Sequence, residues 1–187
     1  MELTKTEHCT TLREFYDESK RQSNLAHGKH YCNYHDAISR YLARGERYKE
    51  LGIFQGMSAA VACFKLPRSV ELIDKNITKF NPNRPLFEAY CTEHKIQLTV
   101  IETSSTKPDS ASAADVLFVD SYHAVEHVEL ELAIHAKHTA KFMIFHDTTK
   151  PNDKIFRVVS AFAKKNSEWE VVERNEQACG YAVLARR

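Results

Sequence analysis

Residues 50–59 read ELGIFQGMSA, and this stretch decides how the rest of the chain is interpreted. It holds Gly52 and Gly56 at the point where an apolar run ends and a helical pattern begins. The 187-residue chain has only five glycines, well below the usual share of about 7%. Because glycine allows a sharp turn and a close approach of the backbone to a ligand, the pair predicts a ligand-binding loop.

The sequence on either side of this loop alternates between short apolar runs and helical stretches. Strands are predicted at 48–53, 69–73, 97–101, 115–119 and 141–145. Helices are predicted at 57–66, 84–94, 123–138 and 153–165. Strands that alternate with helices indicate right-handed crossovers and a parallel sheet.

The segment 123–138 is ambiguous, because its apolar residues alternate from Val128 to Ile134 as they do in a strand. We predict a helix, since the parallel fourth and fifth strands need a crossover between them. No helical stretch separates 169–172 from 181–184, so these segments are predicted to pair antiparallel at the edge of the sheet.

Residues 10–47 are polar and carry two apolar stripes at helical spacing, one around Leu12 and one around Ile38. We therefore predict a helical lead-in or lid over 1–47 and one α/β domain over 48–187. A group of potential metal ligands between the stripes matches no standard zinc spacing. We expect these to be surface or lid residues: His27, His30, Cys32 and His35.

The charge balance, the length of the apolar runs and the cysteine spacing limit the classes of function that the chain could have. Lys and Arg number 26 against 25 Asp and Glu, so a nucleic-acid partner is not favoured. The apolar runs are far shorter than the roughly 18 residues of a membrane helix, and the N-terminus lacks a signal-peptide core. Five scattered cysteines without a CxxC pair indicate reduced thiols, and we expect a cytoplasmic protein.

Asp74 ends the second predicted strand, about 20 residues after Gly52, where an acidic side chain accepts hydrogen bonds from a ribose diol. The glycine spacing is GxxxG, with Phe54 where a dinucleotide-binding loop has a further glycine. This disfavours NAD and FAD and favours an adenosine ligand without phosphates, of which S-adenosylmethionine is the commonest. Glu50 is expected to hold a cationic ligand or to orient the loop. The alternative is that both glycines only permit packing of a helix on a strand.

Two strand ends carry carboxylates beside histidines: Asp120 with His123, and His146 with Asp147. If these strands are neighbours, they lie about 4.8 Å apart and the four side chains share one crevice. Such a set suits a Mg or Mn site or a non-haem iron site, or it supplies a histidine as general base. The alternative is that each aspartate caps a helix.

The loop 104–112 follows the third strand and is rich in serine. We expect Ser104 to contact an adenine and most of the remaining loop to be disordered. Acceptor specificity is expected to lie in 1–47, in this loop and in 148–153.

Residues 50–59, Ile73-Asp74, the run FVDSYH at 118–123 and FHDT at 145–148 resemble the class I S-adenosylmethionine-dependent methyltransferases. The resemblance is strongest to the small-molecule branch of cephalosporin-hydroxylase-like, or family 24, methyltransferases. It implies a Rossmann-like three-layer α/β sandwich with N-terminal helices. The sheet is expected to have seven mostly parallel strands in the order 3-2-1-4-5-7-6, with strand 7 antiparallel.

The resemblance also implies roles for single residues. The Gly52–Gly56 loop cradles the methionine part of the cofactor, and Asp74 holds the ribose. In the related metal-dependent O-methyltransferases, aspartates corresponding to Asp120 and Asp147 bind Mg. Thr148 stands where the usual third ligand is Asn, and Ser121 replaces a usual glycine. Cofactor contacts are expected from Glu50, Gly52, Gly56, Ser58, Asp74, Ser104 and Asp120.

The expected function is methyl transfer from S-adenosylmethionine to a hydroxyl of a small molecule. His123 or His146 is predicted to take the proton, and Asp120 and Asp147 to orient the hydroxyl or a divalent cation. Two alternatives remain open, a metal-dependent oxygenase on the same scaffold and a non-catalytic relative that binds an adenosine ligand or a partner protein. The sequence leaves the oligomeric state open.

Overall fold

A computed structural model describes residues 4–149 and 153–187 of the protein. Within these residues, the strands are β1 (Arg47–Leu51), β2 (Ser69–Asp74), β3 (Gln97–Glu102), β4 (Ala114–Val119), β5 (Thr139–His146), β6 (Trp169–Asn175) and β7 (Tyr181–Arg186). The α-helices are α1 (Leu12–His27), α2 (Tyr34–Tyr41), α3 (Met57–Phe64), α4 (Arg84–Glu93), α5 (Val125–His135) and α6 (Lys154–Lys165). From β1 onward the strands and α-helices of the described residues follow one another in the predicted order, with no α-helix between β3 and β4 or between β6 and β7.

The seven strands form one sheet in the order β3-β2-β1-β4-β5-β7-β6. Strands β1 to β5 pair in parallel, and β7 is antiparallel to both β5 and β6. This confirms the predicted strand order and the antiparallel pair at the edge. Strand order reverses at β1 and β4, so the carboxyl ends of these two strands mark the ligand-binding crevice of an open α/β sheet.

Each face of the sheet has its own hydrophobic core, as a three-layer sandwich requires. Side chains alternate along the strands, so that Phe118 packs with the core under α1 to α4, and Val119 packs with the core under α5 and α6. Phe15 of α1 meets Phe87 of α4 edge to face, with 5.8 Å between ring centroids. The helices before β1 therefore share one core with α3 and α4.

Helix α1 begins at a capping box formed by Thr11 and Glu14. The chain before α1 is hydrogen-bonded to the glycine loop (Gly52–Gly56), because the Thr4 backbone N–H donates to Gln55 Oε1 at 2.8 Å. Thr6 Oγ1 donates to Asn83 Oδ1, and Asn83 Nδ2 donates to the Gln55 carbonyl oxygen. The N-terminal segment thus holds the loop from outside the sheet.

The first strand ends at Leu51, two residues earlier than predicted. Gly52 leaves the strand with φ +90°, and its N–H donates to the Ile73 carbonyl at 2.8 Å. The N–H of Ile53 then turns to the Asp74 carboxylate instead of a neighbouring strand. Because of the positive φ of Gly52, the glycine loop begins directly after Leu51 at the end of β1.

The ambiguous segment before β5 is helical, which confirms the choice made from strand connectivity. Helix α5 runs from Val125 to His135 and continues as a 3-10 turn over Ala136–His138. His123 precedes this helix and lies in the loop after β4. No helix in the described part of the chain is long and apolar enough to cross a membrane.

The expectation that most of the 104–112 loop is disordered is wrong. It forms a 3-10 turn over Pro108–Ser110, in which Ser110 is buried. Ser110 Oγ donates to the Lys107 carbonyl at 2.6 Å, and the buried Lys49 ammonium donates to Ser112 Oγ at 2.8 Å. These hydrogen bonds order the loop, although its polar composition predicted disorder.

Gly52→Ala is expected to destabilise the fold strongly. A Cβ at this position would lie 2.3 Å from the Asp120 carbonyl oxygen, a contact that only a backbone shift relieves. Gly45→Ala is the matched control, because Gly45 also has positive φ but a Cβ there would meet nothing within 4 Å. We expect the control to lose about 1–2 kcal/mol and Gly52→Ala more than about 3 kcal/mol in urea unfolding. Equal losses would contradict the clash.

Candidate functional site

A cavity of about 590 Å³ opens at the carboxyl ends of β1 to β4. Its volume is within the usual range for small-molecule sites, about 300–1,000 Å³. Four predicted cofactor residues line it: Gly52, Asp74, Ser104 and Asp120. Further residues that sequence reasoning did not assign also line it: Phe54, Lys75, Asn76, Lys79, Ser105, Thr106, Tyr122 and His127.

The Asp74 carboxylate joins the end of β2 to the glycine loop. Its Oδ2 accepts hydrogen bonds from the N–H groups of Ile53 and Phe54, at 2.8 and 3.4 Å. Its Oδ1 accepts from the Asn76 N–H at 3.0 Å. A carboxylate has about four lone-pair sites, so Asp74 keeps acceptor capacity toward the cavity.

Phe54 occupies the place of the missing glycine and has the left-handed backbone conformation that glycine usually takes, with φ +52°. The Lys79 ammonium lies 4.7 Å from the centroid of its ring. Lys75 lies 5.8 Å from the Tyr122 ring centroid, so a residue that follows β2 reaches one that follows β4. Two cation–π contacts therefore join residues that line the cavity.

Three predicted cofactor residues do not line the cavity. Glu50 is fully buried, and its two carboxylate oxygens accept hydrogen bonds from Tyr48 Oη at 2.7 Å and Ser58 Oγ at 2.6 Å. Burial raises the pKa of Glu50 to about 8, although both hydrogen bonds lower it. Gly56 begins α3, and a Cβ there would meet the Phe87 and Phe80 rings at 2.8 and 2.9 Å. Glu50, Ser58 and Gly56 thus support the loop from the helix side.

The strand-end histidines and aspartates come together as predicted. Asp120 Oδ1 lies 3.2 Å from His123 Nε2 and 3.0 Å from His146 Nδ1. His123 Nδ1 lies 3.2 Å from Asp147 Oδ2, so the His123 ring bridges the two carboxylates. Neither aspartate caps a helix, since Ala124 and Asp153 hold the N-cap positions of α5 and α6.

Neither histidine is among the residues that line the cavity, and the two differ in exposure. The His123 side chain is 32% exposed and that of His146 only 4%. Burial lowers the pKa of His123, but the hydrogen bond to Asp120 and the charges of Asp120 and Asp147 outweigh it and raise the net pKa. Burial raises the pKa of Asp120, and the adjacent His146 and His123 lower it by more. Asp120 is therefore ionised, and His123 is the more exposed of the two histidines beside it.

At the predicted cation site, three side chains could each offer one ligand atom to a metal ion. Ligand atoms of Asp120, His123 and Asp147 lie within 4.8 Å of one another. His123 already occupies the space between the two aspartates, so a cation bridging them would have to displace its ring. Thr148, at the position of the usual Asn, is fully buried, and its hydroxyl lacks a hydrogen-bond partner among the described residues.

The N-terminal region packs against the strand-end histidines, and only two of its four potential ligands are at the surface, as the expectation of surface or lid residues has it. His27 and His30 are exposed, but Cys32 and His35 are buried. His35 Nδ1 lies 3.2 Å from Tyr16 Oη, inside the core. The ring of Tyr34 lies 4.1 Å from that of His146, centroid to centroid, and thereby covers it. The aromatic spacing of Tyr31 and Tyr34 is too common a pattern to have predicted this contact.

His127 lines the cavity. Its Nε2 lies 3.2 Å from Ser105 Oγ and 3.2 Å from Glu131 Oε1. Ser121 Oγ donates to the same Glu131 oxygen at 2.6 Å. The buried Glu131 therefore positions two residues of the cavity wall. Of the segments expected to set acceptor specificity, residues 1–3 and 150–152 lie outside the described residues.

Comparison with known proteins identifies the fold. No protein-family model matches the chain, and no curated protein matches it. The ribosomal protein L11 methylase of Lactobacillus delbrueckii subsp. bulgaricus is 14% identical, with TM-score 0.61 over 85% of this chain and 79% of that one. The N-methyltransferase NodS of Bradyrhizobium japonicum WM9 is 12% identical, with TM-score 0.57 over 83% of this chain and 95% of that one.

Fibrillarin of Aeropyrum pernix, solved with natively bound S-adenosyl-L-methionine, is 15% identical, with TM-score 0.55 over 76% of this chain and 67% of that one. The chain thus has the Rossmann-like fold of these methyltransferases. At such identities the likeness shows the fold alone.

Glu50→Gln is expected to flatten the pH dependence of stability. The folded pKa of Glu50, about 8, exceeds its ordinary value of 4.5, so unfolding releases a proton between these pH values. The contribution of Glu50 is therefore fully present below the unfolded pKa and is lost as pH rises through the folded one. The melting temperature should fall less from about pH 5 to about pH 9 in Glu50→Gln than in wild type. Glu126→Gln, at an exposed position, should behave like wild type; a Glu50→Gln profile parallel to wild type would refute the assignment.

Proposed function

We propose that this protein is an S-adenosylmethionine-dependent methyltransferase that methylates a hydroxyl of a small molecule. The observation that carries the proposal is the cavity at the carboxyl ends of β1 to β4, where Gly52, Asp74 and Ser104 face one space. This is the ligand position of an open α/β sheet, and the three residues are those expected to meet methionine, ribose and adenine.

The cavity suits an adenosine ligand better than a dinucleotide. Gly52 presents only backbone atoms to the cavity, and Asp74 offers a carboxylate to the ribose diol. The ring of Phe54 stands where a pyrophosphate needs a glycine. An adenosine group joined to a short methionine chain fits these three constraints.

His123 is proposed as the general base. In the reaction, the acceptor oxygen attacks the methyl carbon in line with the carbon–sulfur bond, which breaks and leaves S-adenosylhomocysteine. Before the acceptor binds, Asp120 and Asp147 each lie 3.2 Å from a nitrogen of His123. The acceptor hydroxyl takes the place of Asp147 beside Nδ1, which accepts the hydroxyl proton as the new carbon–oxygen bond forms, while Asp120 holds the ring through Nε2.

A small-molecule acceptor is favoured by the near-neutral charge of the chain, +1 with histidines neutral. The placement in the small-molecule branch and the cytoplasmic location remain parts of this proposal. An oxygenase on the same scaffold is the competing enzyme class, and iron content together with oxygen uptake would identify it. Binding without turnover across a broad panel of hydroxylated acceptors would instead indicate a non-catalytic relative.

Substitutions at Asp74 and His123 are expected to separate binding from chemistry. Asp74→Ala removes a charge-assisted hydrogen bond and should weaken S-adenosylhomocysteine binding about 10-fold or more in titration calorimetry. His123→Ala should leave that affinity nearly unchanged and lower turnover about 10²- to 10⁴-fold on an acceptor from the panel.

Two controls accompany these variants. Asp17→Ala, at an exposed position of α1, should match wild type in both measurements. Asp74→Asn keeps one oxygen for the N–H groups of the loop, so it tests whether weaker binding reflects the lost ribose contact or a loosened loop. If wild type bound neither S-adenosylmethionine nor S-adenosylhomocysteine, the proposed function would fail.

A further inference from the structure

A second group of potential ligand atoms lies beside the base, where β5 meets the turn before β7. The backbone of this turn pairs with the segment after β5: the Thr149 N–H donates to the Cys179 carbonyl at 3.1 Å, and the Thr148 N–H to the Gly180 carbonyl at 3.4 Å. The pairing fixes Cys179 beside the end of β5. One ligand atom each from His146, Asp147 and Cys179 lies within 4.8 Å of the others.

His146 has the surroundings of a metal ligand. It is 3% exposed, and its Nδ1 lies 3.0 Å from Asp120 Oδ1. Its Nε2 has no hydrogen-bond partner among residues 4–149 and 153–187, and it lies 3.8 Å from Asp147 Oδ1. A buried nitrogen without a partner is costly, whereas an imidazole that binds a metal typically donates its other N–H to a carboxylate.

The aspartates divide their oxygens in a way that supports this site. Asp147 directs Oδ2 to His123 and presents Oδ1 to His146 Nε2. Its backbone has φ +54°, an uncommon conformation for a residue other than glycine, which tends to occur at functional sites. Asp120 contacts both histidines and is therefore placed behind His146.

We propose that His146 Nε2, the Asp147 carboxylate and the Cys179 thiolate bind a divalent transition metal of the zinc type, with Asp120 positioning His146. Thiolate and imidazole ligands favour Zn²⁺ over Mg²⁺, and three protein ligands leave a coordination position open, as in catalytic zinc sites. The site differs from the magnesium pair expected at Asp120 and Asp147. It adjoins the proposed methyl-transfer site, but its metal affinity is measurable without turnover.

Cobalt provides the test, because Co²⁺ is a coloured substitute for Zn²⁺. The full chain, stripped with a chelator and titrated with CoCl₂, should bind one equivalent and show thiolate-to-cobalt charge-transfer absorption in the near ultraviolet. Cys179→Ser should abolish this absorption. Cys9→Ser, which removes a half-buried thiol next to the start of α1, should keep it.

Asp120→Asn tests the positioning role. Loss of a carboxylate behind a metal-bound histidine should weaken Co²⁺ binding about 10- to 100-fold in chelator competition. Asp109→Asn, at an exposed position in the 3-10 turn, should bind like wild type. Asp147→Asn should weaken binding as well, and thermal melting checks that each variant is folded.

The outcomes separate this proposal from the proposed function. Absence of stoichiometric Co²⁺ binding in wild type, or unchanged charge-transfer absorption in folded Cys179→Ser, would overturn the metal site. Titration of the same preparations with S-adenosylhomocysteine tests the cofactor cleft independently. Normal cofactor binding without cobalt binding would overturn the metal site alone.

Discussion

The fold depends on the contact between the Gly52 backbone and the Asp120 carbonyl, at the ends of the two central strands. The Asp120 N–H donates to the Leu51 carbonyl at 2.8 Å, and the Gly52 N–H donates to that of Ile73. Only a residue without a Cβ permits this approach. These few atoms therefore join the ends of β1, β2 and β4 and start the loop from Gly52 to Gly56. They also place the Asp120 carboxylate between the cavity and the two histidines.

The site is built from strand ends that are far apart in sequence, and the polar groups hold one another in place. Asp74 fixes the loop through its N–H groups, and Asp120 holds both histidines. Because each carboxylate is hydrogen-bonded or paired, its burial is offset by partners rather than by solvent. Removal of one member leaves the others without compensation, which makes the network rigid.

Strand order and the position of the candidate site residues at strand ends were predictable because they follow from local patterns and connectivity. Alternating strands and helices imply the parallel sheet, and residues directly after its strands meet at one edge, as Asp74, Asp120 and Asp147 do. The burial of Glu50 away from the cavity was not predicted, although Tyr48 two residues earlier shares its face of the strand and lies in the core. Cys179 and Tyr34 were missed because the register of β7 against β5 and the packing of α2 are non-local, and no short motif encodes them.

The pair Lys75 and Tyr122 has a consequence for how firmly two loops of the cavity wall are joined. Lys75 follows β2 and Tyr122 follows β4, and an exposed cation–π contact of this kind is worth about 0.5–1 kcal/mol. Thermal motion readily breaks a contact this weak, so it joins the two loops without locking them together.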